Sequence, residues 1–189
     1  MLSPQALSEE DRRVVAAWAA DCAERVLPLF EAEAPLDGRP RDGIDRARAF
    51  SRGELDTAGE IRRRLVAGRA SQAVRSPAAR AAAWAAGQAA GVAHMGAHAL
   101  GAAAYAAKAA ALVAEEGRTA SAGEVDWQLA QMDMAVRLAL ARLPLLGEDP
   151  AGPLGAGLLA AGVLGAHIRL LQAAIHTSGP KEPPRTLRG

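Results

Sequence analysis

Residues Ser76 to Glu116, SPAARAAAWAAGQAAGVAHMGAHALGAAAYAAKAAALVAEE, constrain the fold more than any other part of the chain. The stretch is rich in Ala, the strongest helix former, and has no proline after Pro77. Ser76 can cap the first free N–H groups of a helix, and Pro77 fits its first turn. Glu115-Glu116-Gly117 is the expected exit, with Gly117 able to take the left-handed conformation. An unbroken helix of about 40 residues would be about 60 Å long, more than a compact domain of this chain length accommodates. A break is therefore expected between Gly91 and Gly96, giving two helices whose small side chains let neighbouring backbones approach closely.

The rest of the chain obeys the same logic. Half of its 189 residues are apolar but only 3% are aromatic, so the core must be built from Ala, Leu and Val by close helix approach. The formal net charge is +1, which provides no global attraction to nucleic acid. Cys22 is the single cysteine and excludes an intrachain disulfide; its place in a helical pattern reads as a small buried apolar residue. The N-terminus carries no basic-then-apolar leader. The most apolar segment, Gly152 to Ala166, is shorter than the roughly 20 residues a membrane span needs. A cytoplasmic protein, with no nucleic-acid or membrane partner, is expected.

Residues 1–7 read as a loose lead-in. Ser8 with Glu9, Glu10 and Asp11 starts the first helix, whose inward residues are Val14, Val15, Trp18, Cys22, Val26 and Phe30, and Pro28 should kink or end it near Leu27. Pro40 opens a second helix closed by Gly53, with Ile44, Ala47 and Phe50 or Ser51 inward. A capping box at Thr57–Glu60 starts a third that should run to about Arg75, with Ile61, Leu65, Ala70 and Val74 inward. After the central stretch, a further box at Ser121–Glu124 should start a helix running to about Leu143. The last helical segment, Gly152 to Ile175, begins with a Gly-rich run in which Gly157, Gly162 and Gly165 suggest tight backbone contact and a possible homodimer face. No segment alternates with a period of two. The expected fold is all-α: a single-domain helical bundle of about six or seven Ala-rich helices over residues 1–178, followed by a disordered tail at 179–189.

The distinctive polar residues gather in the central stretch. His94 and His98 are four apart and share a face if the helix is intact there. That spacing can clamp a metal, but Met95 stands where a zinc-protease motif needs Glu, and no Glu-x-x-His pair occurs, so no metal and no cofactor is expected. The other readings are histidines bonded to acids in the packing, or a ligand or acid–base pocket. Asp21 and Glu24, three apart on the first helix, are the candidate carboxylates; with His94 or His98 they would make a proton-transfer pair. Trp18, Trp84, Gln88, Tyr105 and Lys108 are the candidate ligand-binding residues. The bland alternatives are core anchors for the tryptophans and a snorkelling surface chain for Lys108.

Several runs, in order, resemble a family of small actinobacterial proteins labelled as immunity proteins, with an immunity-protein-like domain of the fifth type. They are WAADCAERVLPLFE (18–31), RPRDGIDRARAF with RGE (39–54), AHMGAHALGAAAYAAKAA (93–110), WQLAQ (127–131) and PLGAGLLAAGVLG (153–165). The resemblance implies an all-α domain that neutralises a toxin by binding, either a protein toxin or a small toxic metabolite, and it supplies no catalytic residues. The alternative is a small α-helical enzyme of secondary metabolism using a His–carboxylate pair inside the bundle.

Overall fold

A computed structural model describes residues 3–63, 65–114 and 117–177, without the side chains of 117–121. The described residues form helices and no strands: α1 (Glu9–Glu31), α2 (Arg39–Ser51), α3 (Thr57–Arg63), α4 (Val66–Arg69), α5 (Pro77–Gly91), α6 (His98–Val113), α7 (Gly117–Ala130), α8 (Met134–Leu140) and α9 (Gly162–Thr177). Short 3₁₀ turns cover Ala70–Ala73 and Leu158–Ala160. The helices are thus more numerous and shorter than six or seven.

The Ala-rich stretch is the centre of the packing. α5 packs against α6, α1, α2 and α4, and α6 against α5, α1, α7 and α9. From Ala99 to Ala107 every residue of α6 is buried, the pattern of a helix enclosed on all sides. Ser76 caps α5 by accepting from the Ala79 N–H at 3.1 Å, and Pro77 occupies the first turn. The break spans residues 92–97, starting after Gly91 and running one residue past Gly96. The larger core side chains come from outside the stretch: Phe30 and Leu27 on α1, and Ile44 and Phe50 on α2, are all fully buried.

Several helix boundaries differ from expectation, each for a local reason. α1 continues through Pro28 to Glu31, because Val26, Leu27 and Phe30 bury its last turn and outweigh one lost backbone hydrogen bond. Residues 3–7 are packed rather than loose: the N–H groups of Gly96 and Ala97 donate to the carbonyls of Ala6 and Gln5, both at 3.1 Å. The buried Gln5 side chain accepts from the Leu154 N–H at 2.8 Å and donates to the Ala151 carbonyl. The third predicted helix divides into α3 and α4, so Ile61 and Leu65 lose phase with the core and are exposed, while Ala70 and Val74 are buried. Its start is held by Asp56, which accepts from the Gly59 N–H, while Glu60 turns to Arg46.

Gly117 begins α7 instead of ending a helix, and Ser121 lies inside α7 instead of capping it. That helix stops at Ala130, since Asp133 caps a separate α8 by accepting from the Val136 N–H at 2.8 Å. Most of 152–161 is irregular, with positive φ at Gly152 and Gly162. Glycine's backbone freedom removes the helical start that the apolar pattern suggested. The Gly157–Gly162–Gly165 face proposed for a homodimer is therefore not carried on one helix. The tail predicted at 179–189 lies outside the described residues.

Candidate functional site

The break between α5 and α6 creates the site. Trp84 and Gln88, one helical turn apart, project from the last half of α5; His94 lies in the turn and His98 is the first residue of α6. α4 crosses above them. The crossing is possible because Gly68 of α4 meets Gly87 of α5 without side chains: a Cβ on Gly87 would lie 2.8 Å from the Gly68 Cα. The result is a cavity of about 420 Å³. Its α5–α6 side is formed by Trp84, Gly87, Gln88, Gly91, His94 and His98, and its other side by Leu65, Gly68 and Arg69.

Its polar groups are held in a definite geometry. His98 Nδ1 lies 2.8 Å from Gln88 Oε1. An amide oxygen only accepts, so Nδ1 carries the proton and the neutral ring has its basic lone pair on Nε2. Two glycines make room for this pair: a Cβ at Gly91 would lie 2.9 Å from the His98 ring, and one at Gly101 would fall on Gln88 Oε1. The His94 and His98 rings are 5.5 Å apart at 59°. Trp84, 41% exposed, stacks on the buried Tyr105 with ring centroids 6.1 Å apart and planes at 23°. Burial raises the Tyr105 hydroxyl above its ordinary pKa. Leu65 on the opposite side is also largely exposed. None of the described residues lining the cavity is an acid.

Of the residues singled out from sequence, Trp84, Gln88, His94 and His98 line this cavity, and Tyr105 supports it from behind. Asp21 and Glu24 do not reach it. Both carboxylates bind Arg48 of α2, which lies 2.7 Å from Asp21 Oδ1. The expected pairing of these acids with His94 or His98 is thereby corrected: a guanidinium on the adjacent helix engages them instead. The Arg48 contact lowers the Glu24 pKa. Trp18 is a core anchor, with its indole N–H donating to the Gln128 carbonyl at 3.0 Å. Trp127 is half-buried beneath the Arg25 guanidinium. Lys108 is half-buried one turn beyond Tyr105 and does not line the cavity.

Leu65, Gly68 and Arg69 were missed, because the site depends on α4 turning back over α5. The only sequence sign of that turn is Gly68 in an otherwise helical run. Among the described residues no three His, Cys, Asp or Glu side chains gather as a metal site would require. No helix among them is long and apolar enough to cross a membrane.

Comparison with known sequences finds one family over most of the chain. The sequence model described as "Imm-5 like putative immunity protein" matches residues 5–135. The match includes α1, α2, α4, α5 and α6, and so every residue lining the cavity. The Gly-rich run at 153–165 lies beyond it. No curated protein and no solved structure matches the chain.

Proposed function

Because the chain belongs to the Imm-5 like putative immunity protein family, we propose that it confers immunity by binding, and that the cavity between α4 and the α5–α6 turn holds the toxin or a part of it. The observation that carries this reading is the wall itself: a half-exposed indole, a Gln88–His98 pair and a second imidazole face one concave space of small-molecule size. Such a surface supplies stacking area and hydrogen bonds, which are the means of recognition. The enzymatic alternative required a carboxylate beside an imidazole, and its two candidates are engaged by Arg48 elsewhere. The contacts of α1 with α2, α5, α6 and α8 support residues 3–177 acting as one helical bundle, with the cavity set into it rather than at a domain junction.

Growth protection tests the reading. Each gene flanking this one is expressed in a sensitive host, with and without the chain. One toxic product should be relieved by the wild-type chain, and relief should fall sharply with Trp84→Ala combined with His98→Ala, provided that circular dichroism shows the variant still folded. Undiminished relief by the folded double variant would remove the cavity from the account. Relief of none of the products would remove the immunity role.

A further inference from the structure

We propose that the cavity selects a free small molecule with a flat aromatic body and an anionic substituent; this rests on reading the cavity as the binding place. Three observations converge. First, the space is a slot with an aromatic wall. The six-membered ring of Trp84 lies against Gly68, so that a Cβ there would be 3.1 Å from it, and the indole is stiffened from behind by Tyr105. Gly87 and Gly91 also line it, their missing side chains making room for Gly68 and the His98 ring. Flat groups gain most from such a wall, because they stack on the exposed part of the indole.

Second, the charge is one-sided. Arg69 lines the cavity and has no carboxylate within 4.0 Å among the described residues. With Arg69 stand two imidazoles and the Gln88 amide, and no acid among the described lining residues. A guanidinium binds carboxylate or phosphate through two parallel N–H groups, and an imidazole adds a third donor when protonated. Third, the size fits. About 420 Å³ accommodates a small molecule. A tetrapeptide arm in the titration separates a free molecule from a protein terminus.

Calorimetric titration with 2-naphthoate, its neutral amide 2-naphthamide, and the cationic 2-naphthylmethylammonium tests this assignment on the full chain. Naphthoate should bind at least about tenfold tighter than the amide, and the cation more weakly than either, as expected for one charge-assisted pair. Arg69→Gln should abolish the preference for the anion while leaving amide affinity within about twofold, and Arg69→Lys should recover part of it. Arg69 is exposed, and an unchanged melting temperature would show that the variants remain folded. Equal affinity for anion and amide, an unchanged preference in Arg69→Gln, or no binding at millimolar concentration would each overturn the proposal. So would tenfold tighter binding of a tetrapeptide ending in a free tryptophan carboxylate, which would point to a protein terminus instead. Failure here with cavity variants still losing protection leaves the binding site standing. Naphthoate binding with protection unaffected by those variants leaves the ligand preference standing and removes only the cavity's part in immunity.

Discussion

Replacing Gly87 by Ala should destabilise the protein, although the same replacement at Gly123 should stabilise it. Both glycines lie inside helices, α5 and α7, where Ala is favoured over Gly by about 1 kcal/mol. Around Gly123 a new Cβ meets nothing within 4 Å, so that gain is realised. At Gly87 the new Cβ would lie 2.8 Å from the Gly68 Cα and 2.9 Å from its N. These are backbone atoms and cannot rotate aside. Reaching even 3.4 Å, where ordinary contact begins, requires α4 to move by at least 0.6 Å, the difference from 2.8 Å. Overpacking of this kind costs about 1–3 kcal/mol. The two variants should therefore differ by about that amount, with Gly87→Ala at or below wild type and Gly123→Ala above it. With a urea slope of about 2 kcal/mol per molar, their midpoints should be separated by roughly 0.5–1.5 M at unchanged slope. A midpoint for Gly87→Ala as high as that of Gly123→Ala would refute the close α4–α5 crossing on which the cavity depends.

Other consequences are equally accessible. Cys22 is fully buried, and burial, reinforced by the nearby Glu124 charge, holds its thiol well above the ordinary pKa; it should resist a thiol reagent in the native protein and react promptly in denaturant. The Arg48 contact lowers the Glu24 pKa from 4.5, so the ionised form is favoured in the folded state. Its stabilising contribution is present above pH 4.5 and is lost as the pH falls through the folded value. Arg48→Met should flatten that part of the stability–pH curve, read by urea midpoints at stepped pH, and an identical curve would contradict the pairing. Asp133→Ala removes the cap of α8 and should cost about 1 kcal/mol in the same unfolding assay; no change would argue against a helix starting there.

Much of this arrangement could be read locally. Ser8 and Ser76 mark helix starts by cap chemistry that involves only the following turn, and both caps form. Two glycines flanking the turn made the break in the central stretch readable, and chemistry concentrated in an Ala background pointed to Trp84, Gln88, His94 and His98. What failed was long-range. Which cation meets Asp21 and Glu24 depends on α2 lying beside α1, and no spacing within α1 encodes that. The α4 wall, with Gly68 and Arg69, exists only because a helix divides and folds back over Gly87. The apolar run from Gly152 looked helical by composition, yet its glycines allow backbone conformations that apolarity does not report.

Isotope-labelled protein titrated with 2-naphthoate and followed by nuclear magnetic resonance tests the central claim most directly. The cavity account predicts that shift changes concentrate on the amides of Gly68, Gly87 and Gly91, the Trp84 indole and the His98 ring. Changes concentrated instead in the open groove between α1 and α8, around Glu10, Asp21 and Asp133, would contradict it.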